Sequence, residues 1–213
     1  MNYDKETALK VAESLLQIKA IKLNLKEPFQ WASGWKSPIY CDNRKTLSHP
    51  KIRTYIKQKY VEKIEKNFDH VDVIAGVATG GIAQAALIAQ DLGLPLIYVR
   101  SSSKGHGLQN QIEGDLHEGQ NVVVIEDLIS TGMSSLNAVN ALREVKSKVL
   151  GMVSIFTYDF DVAQKNFEEH QCQLETLSDY HHLIDIALDI GYINESEVES
   201  LKAWRENPAE WKP

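Results

Sequence analysis

Cysteine is scarce in this chain: among 213 residues only Cys41 and Cys172 are cysteine, and they do not form a CxxC pair. This argues against a disulfide framework and against a thiolate metal site, so we expect two reduced thiols. Long apolar runs are missing as well, since the longest, such as residues 149–156, are far too short to span a bilayer. The opening stretch MNYDKETALK has no apolar signal core. We therefore expect a soluble, cytoplasmic protein with no membrane partner.

Positive charge is in deficit, because 23 Lys and Arg face 29 Asp and Glu, for a net charge of -6. Non-specific nucleic-acid binding needs many cations to displace phosphate counterions, so we expect no nucleic-acid partner, although a local anion site remains open. The 43% hydrophobic and 24% charged content is that of ordinary globular proteins, which argues against disorder, a coiled coil or a fibrous repeat. The length and the lack of linkers predict a single domain over residues 1–213.

Short apolar runs alternate with helical patterns through the middle of the chain. We predict an opening amphipathic helix from residue 4 to about 23 and a second from 50 to about 67 with Ser48 as its cap. Strands are predicted at 71–77, 96–99, 121–125 and 149–157, separated by helices at 82–92 and 134–145; two more helices follow within 178–211, with Gly191 ending the first and Asn194 capping the second. Strands that are apolar on both faces and alternate with helices indicate an α/β fold with an open, mostly parallel sheet. Ligands of such sheets bind beyond the carboxyl ends of the strands, which directs attention to the loops after Val77, Val99 and Ile125.

The segment VVVIEDLISTGMS, residues 122–134, joins a buried strand to a helix through two carboxylates and a small polar loop. Backbone N–H groups at a helix N-terminus can cradle a phosphate, and Gly132 permits a close approach. Glu126 and Asp127 suit the hydroxyls of a sugar or the water shell of Mg²⁺. The residues alone leave open a simpler interpretation, in which the acids cap the helix and the loop is a generic turn.

This segment resembles the signature of the phosphoribosyltransferase family, whose members bind 5-phosphoribosyl 1-pyrophosphate. The resemblance implies the type I phosphoribosyltransferase fold, an open mostly parallel sheet flanked by helices with a small N-terminal hood from about residues 1–45. It also implies that the acids hold the ribose hydroxyls, that the loop holds the 5-phosphate, and that Mg²⁺ is bound mainly through substrate and water near Glu126 and Asp127. Met133 departs from the pattern, because many members carry a small residue there. The implied sugar-phosphate segment comprises Glu126, Asp127, Leu128, Ile129, Ser130, Thr131, Gly132, Met133 and Ser134.

Two further loops fit the same family. The turn Ala78-Thr79-Gly80-Gly81 corresponds to the family's pyrophosphate loop, which implies pyrophosphate binding at Thr79 and Gly80, although a glycine turn between strand and helix is commonly only structural. Residues 100–114, RSSSKGHGLQNQIEG, lack apolar periodicity, which taken alone is typical of a solvated surface loop. Their R-x-x-x-K-x-H-G arrangement is similar to the catalytic loop of orotate phosphoribosyltransferases. That likeness implies a homodimer in which Arg100, Lys104 and His106 act on the pyrophosphate of the neighbouring site, with serines where members often carry another lysine.

The hood motif F-x-x-x-S-G-x-x-S-P-x-Y at residues 29–40 resembles that of orotate phosphoribosyltransferases. A flat anionic pyrimidine needs an aromatic face, hydrogen-bond donors and a cation, which Tyr40, Lys36 and Arg44 can supply. The aromatic residues of this segment can equally be hood core. Ala32 and Gly80 stand where many members carry lysine.

The resemblance implies transfer of the phosphoribosyl group to N1 of orotate in pyrimidine biosynthesis, with Lys104, His106, Arg100 and Asp127 as the catalytic residues. Two alternatives remain open. A phosphoribosyltransferase for another base would lack the hood motif, and a nucleotide-sensing regulator on the same fold would need no cationic loop.

Overall fold

The computed structural model describes residues 4–31, 34–100 and 111–212. The helices are α1 Lys5–Gln17, α2 Pro50–Asn67, α3 Gly80–Leu92, α4 Met133–Glu144, α5 Asp161–Glu169, α6 Tyr180–Asp189 and α7 Glu195–Glu206, with a 3-10 helix at Asn43–Ser48. The strands are β1 Ile21–Leu23, β2 Phe29–Gln30, β3 Lys36–Ser37, β4 Ile39–Cys41, β5 Val73–Val77, β6 Leu96–Val99, β7 Ile112–Glu113, β8 Asn121–Ile129, β9 Lys148–Thr157 and β10 Leu174–Asp179. Across these ranges no helix combines the length and apolar character needed to cross a membrane.

The central sheet has the strand order β10-β9-β8-β5-β6-β7. Neighbouring strands of this sheet pair in parallel, except that β7 runs antiparallel to β6 at one edge. Two small antiparallel pairs, β1 with β4 and β2 with β3, lie outside this sheet in the N-terminal part of the chain. The predicted open, mostly parallel α/β sheet flanked by helices is therefore confirmed.

Alternate residues of the central strands feed two separate cores. Val123 and Ile125 of β8 join the larger core, which is covered by α1, α2, α3, α6 and α7. Val122 and Val124 join the core under α4 and α5. Each fully buried side chain of this kind contributes about 1.5–3 kcal/mol to the stability of the fold. Because both faces of these strands are buried, nearly every residue along them is apolar.

Three predicted boundaries near the amino terminus and the site were wrong. The first helix ends at Gln17 rather than near residue 23, because Lys19 takes a left-handed φ of 54° and Ile21–Leu23 pair with β4. Ser48 does not cap α2, since it belongs to the preceding 3-10 helix and His49 occupies the N-cap position. β8 continues to Ile129 by pairing with β9, so the two acids lie within the strand rather than after it.

The pair α5 and β10 was missed from the sequence. β10 carries buried polar residues, which conceal it from a search for apolar runs, and each has a partner. Ser178 Oγ donates to the Ala8 oxygen at 2.8 Å, and Glu175 lies 3.0 Å from the Lys63 ammonium. The two predicted C-terminal helices are confirmed, with an Asn194 capping box on α7 and Gly191 at φ 69° just after α6. The first helix, α1, packs against β10 and α6.

Candidate active site

The backbone of the acidic pair is anchored by side chains from distant elements. The Tyr60 hydroxyl of α2 donates to the Glu126 main-chain oxygen at 2.6 Å. Asn43 Nδ2 of the 3-10 helix donates to the Asp127 oxygen, also at 2.6 Å. The backbone near the carboxyl end of β8 is therefore held by hydrogen bonds from α2 and from the 3-10 helix.

Glu126 is a buried carboxyl group with only 6% of its surface exposed. Its Oε1 accepts from the Asp127 N–H at 2.9 Å, and its Oε2 accepts from Ser135 Oγ at 2.8 Å. Burial, followed by the charge of Asp127, raises the pKa of Glu126 to about 8. Ser135 belongs to α4, so the helix after the loop orients this acid. The sequence offered a hint of this contact, because Ser135 directly follows the signature.

Asp127 lies against the N-terminus of α3. A Cβ atom placed on Gly80 would come within 2.4 Å of the Asp127 carboxyl, so the glycine leaves the room that this carboxyl occupies. Burial raises the pKa of Asp127, while the hydrogen bond from Glu126 and the positive charge of Arg44 oppose the rise. Two adjacent acids with raised pKa values in a cleft are typical of a binding or catalytic site.

The loop before α4 is shaped by α5. Gly132 occupies the N-cap position with a left-handed φ of 81°, and Asn166 Nδ2 donates to the Thr131 oxygen at 2.8 Å. A Cβ on Gly132 would lie 2.6 Å from the ring of Phe167, so this position requires glycine for both its conformation and its space. Met133 begins the helix and is 42% exposed. The role of Asn166 was not predicted, because helix α5 was not predicted.

A cleft of about 260 Å³ brings together the acids, the glycine turn and the base of the 100–114 segment. Its lining comprises Val77, Ala78, Thr79, Gly80, Val99, Arg100, Gln111, Glu126, Asp127, Leu128, Ser134, Asn137 and Ala138. Three separately predicted segments thus meet at one edge of the sheet. Gln111 and Asn137 were not predicted, and no pattern in the sequence singles them out.

Arg100 lines the cleft of its own chain, where its guanidinium lies 3.5 Å from a carboxylate oxygen of Glu113. The backbone N–H of Arg100 donates to the backbone oxygen of Gln111 at 2.8 Å, which joins the two ends of the segment. Lys104 and His106 lie outside the described residues.

The described residues of the hood segment, 29–31 and 34–44, are not among those that line this cleft. Tyr40 is 41% exposed with its ring 5.6 Å from that of Phe29, and Lys36 is exposed on β3. Arg44 donates to Asp42 at 2.7 Å, and its charge reaches Asp127. Trp31 is partly buried and packs against the core, with its ring 5.0 Å from that of Tyr158.

Comparison with known proteins places this arrangement in a family. The phosphoribosyl transferase domain model matches residues 45–189. An orotate phosphoribosyltransferase from Phocaeicola vulgatus is 56% identical over 201 residues, which cover 94% of this chain and 95% of the relative. The chain belongs to the orotate phosphoribosyltransferase family. The family predicted from the three motifs is confirmed.

Solved structures agree with this assignment. The chain matches an orotate phosphoribosyltransferase from Aeropyrum pernix with a TM-score of 0.74 and 28% identity, covering 86% of this chain and 99% of that one. It also matches a Leishmania donovani UMP synthase with a TM-score of 0.79 and 25% identity, covering 94% of this chain but 42% of the longer protein. The phosphoribosyltransferase fold is therefore confirmed, and the roles of individual orotate phosphoribosyltransferase residues in this chain stay predictions.

Proposed function

We propose that this chain transfers the 5-phosphoribosyl group of 5-phosphoribosyl 1-pyrophosphate to N1 of orotate, releasing orotidine 5-phosphate and pyrophosphate in pyrimidine biosynthesis. One observation carries the proposal: the signature acids and the glycine turn face each other across a single cleft, in a chain 56% identical to an orotate phosphoribosyltransferase. The cysteines are both free thiols, in keeping with work in the cytoplasm.

The sugar phosphate occupies the cleft with its ribose at the acidic pair. The 2- and 3-hydroxyls of the ribose bond to Glu126 and Asp127, two adjacent carboxyl groups whose pKa values are raised chiefly by burial. The 5-phosphate lies in the loop of residues 130–134, where the N-terminus of α4 and its dipole favour an anion. The pyrophosphate lies towards Thr79 and Gly80, at the start of α3.

Magnesium fits the donor set at this edge. Glu126 and Asp127 are adjacent hard oxygen donors that line the cleft, which suits a hydrated divalent cation shared with the substrate. When bound, the ion would neutralise part of the charge on the pyrophosphate and ribose oxygens. The protein's own contribution is to hold both acids at the ribose, Glu126 through Ser135 and Asp127 through the space left by Gly80.

Breaking the bond at ribose C1 builds positive charge on the sugar and negative charge on the leaving pyrophosphate. The reaction is therefore promoted by position and electrostatics rather than by a covalent intermediate. Arg100 and Lys104, supplied by the segment of the neighbouring chain, neutralise the departing charge. His106 donates a proton or a hydrogen bond to the pyrophosphate. Asp127 stabilises the charge that develops on the ribose.

Orotate approaches from the hood. The exposed ring of Tyr40 offers an aromatic face, and Lys36 and Arg44 are the cations of the hood segment available to its carboxylate. Arg44 is held near Asp127, between the hood and the ribose site. A base bearing a carboxylate is therefore favoured over an uncharged one.

The protein acts as a homodimer in which residues 100–114 reach the neighbouring site. Arg100 lines its own cleft and pairs with Glu113, so its delivery to the partner requires that this ion pair open. At 3.5 Å and with both side chains partly exposed, the pair is weak enough to exchange for a polyanion. The assembly involves neither nucleic acid nor membrane.

A panel of acceptor bases tests this function. The full-length protein is mixed with 5-phosphoribosyl 1-pyrophosphate, Mg²⁺ and either orotate, uracil or hypoxanthine, and base consumption and pyrophosphate release are followed together. We expect consumption of orotate with equal release of pyrophosphate and little use of the other bases. Preferential use of uracil or hypoxanthine would assign another base, and binding of the sugar phosphate without turnover of any base would assign a regulator.

A further inference from the structure

Trp204 ties the carboxyl-terminal helix to the hood. Its indole is fully buried, and Nε1 donates to the main-chain oxygen of Lys36 at 3.2 Å, although 168 positions separate the two residues. The Trp204 ring also meets Trp31 edge-on, with centroids 5.5 Å apart. Trp31 Nε1 in turn donates to the Ile39 oxygen at 3.2 Å, immediately before Tyr40. One side chain of α7 is thus linked to both β3 and β4.

The same part of α7 fixes the loop after β9. The Trp204 ring lies edge-on to Tyr158 and Phe160, at 5.8 and 5.5 Å. The next residue, Arg205, donates to the Asp159 oxygen at 2.5 Å. Asp159 has a left-handed φ of 56°, an uncommon conformation for a residue other than glycine, so a bond to its carbonyl helps to hold the turn.

The two segments that α7 holds come together beside the acidic pair. The backbone N–H of Tyr158 donates to the Ile129 oxygen of β8 at 3.0 Å, two residues beyond Asp127. On the other side, Cys41 Sγ of β4 donates to Asn43 Oδ1 at 3.2 Å, and Asn43 Nδ2 donates to the Asp127 oxygen at 2.6 Å. β4 and the loop after β9 therefore form one wall next to Asp127, and α7 lies behind that wall.

We propose that Trp204 is a positioning residue for the orotate side of the site, which rests on the function proposed above. The residue touches no substrate. It sets the distance between strands β3 and β4 and the loop after β9. Through these elements it sets the position of Tyr40 relative to Asp127. The sugar-phosphate loop is held by Asn166 within α5, six residues beyond Phe160, so a disturbance at Trp204 acts first and most strongly on the orotate side.

The substitution Trp204→Phe keeps an aromatic ring and removes the N–H that bonds to Lys36. We expect the KM for orotate to rise roughly three- to tenfold, with the KM for 5-phosphoribosyl 1-pyrophosphate and kcat changing less than about twofold. Tyr180→Phe is the matched control, because its hydroxyl donates to the Leu201 oxygen in the same aromatic cluster without reaching the hood. This control should lose similar stability in urea unfolding and keep both KM values.

Arg205→Gln provides a second variant should Trp204→Phe fail to fold, because Arg205 lies at the edge of the cluster and acts on the Asp159 turn. It should raise the orotate KM selectively. Equal rises in both KM values, an unchanged orotate KM, or the same effect from Tyr180→Phe would overturn the inference while the function stood. A wild-type protein that neither binds nor consumes orotate would overturn both.

Discussion

The carboxyl group of Asp127 occupies the space in which a side chain at Gly80 would begin, with a Cβ there only 2.4 Å from Asp127 Cγ. The Asp127 carboxyl can therefore keep this position only because residue 80 of the turn has no side chain. A residue with a side chain at position 80 would therefore require the Asp127 carboxyl to move.

Gly80→Ala should reduce activity sharply, because its methyl group displaces the Asp127 carboxyl from the ribose site. We expect kcat/KM for the sugar phosphate to fall by roughly one to two orders of magnitude. In an Asp127→Ala background the clash is gone, so adding Gly80→Ala should cost little more. Steady-state kinetics of the four proteins measure this coupling, and additive losses would show that the two residues act independently.

The pH dependence of stability should report on Glu126. Its pKa is raised from 4.5 to about 8, chiefly by burial, so between these values the folded state keeps a proton that the unfolded chain has released. Stability contributed by this group therefore falls as pH rises through that interval and levels off above it.

Glu126→Gln should flatten this decline, as measured by urea unfolding at several pH values from about 5 to about 9. Glu118→Gln serves as the control, because the Glu118 side chain is 67% exposed. Equal slopes for wild type and Glu126→Gln would contradict the raised pKa.

Asn166→Ala should weaken binding of the sugar phosphate. The variant loses the bond to the Thr131 oxygen that shapes the phosphate loop, which is worth about 1 kcal/mol or roughly fivefold in KM. The KM for orotate should stay unchanged. Gln164→Ala, which removes an exposed bond to Glu168 on the same helix, is the matched control and should be silent. A loss confined to thermal stability, with no change in KM, would deny Asn166 this role.

Lys104→Ala should cost about two to three orders of magnitude in kcat, the usual effect of removing one charge that stabilises a transition state. Binding of the sugar phosphate should change much less. Lys10→Ala, at an exposed ion pair on α1, removes the same charge far from the proposed chemistry and should have normal turnover. Near-normal turnover in Lys104→Ala would remove this residue from the mechanism.

Shared sites predict complementation between inactive variants. Lys104→Ala and Asp127→Ala damage different chains of a shared site, so random mixing should create hybrid dimers with one intact site and restore about a quarter of wild-type activity. The mixture is unfolded, refolded and assayed alongside each parent. Activity no higher than that of the parents would place Lys104 in the cleft of its own chain.

The features that could be predicted from the sequence are those that depend on residues close together in the chain. The segment 122–134 is recognisable from an apolar strand, two acids and a small polar loop in direct succession. β5 and most of β9 are apolar because both of their faces are buried. Asn166 and Ser135 act on that segment through side-chain contacts that no periodicity reveals. β10 escaped detection because its buried polar groups find partners as distant as Ala8.

Long-range contacts mark the limit of such reasoning. The bond from Trp204 to Lys36 joins two ends of the chain, and nothing in either local pattern indicates the other. The contact of Asp127 with Gly80 likewise depends on β5 and β8 being neighbours, which follows from the sheet order and not from residue type.

The most direct test is a crystal structure of the protein with 5-phosphoribosyl 1-pyrophosphate and Mg²⁺. We predict the ribose hydroxyls on Glu126 and Asp127, the 5-phosphate in the loop of residues 130–134, and the pyrophosphate at Thr79 and Gly80. An empty cleft under saturating ligand, or a sugar phosphate bound elsewhere with both acids still turned away from it, would contradict the proposed site.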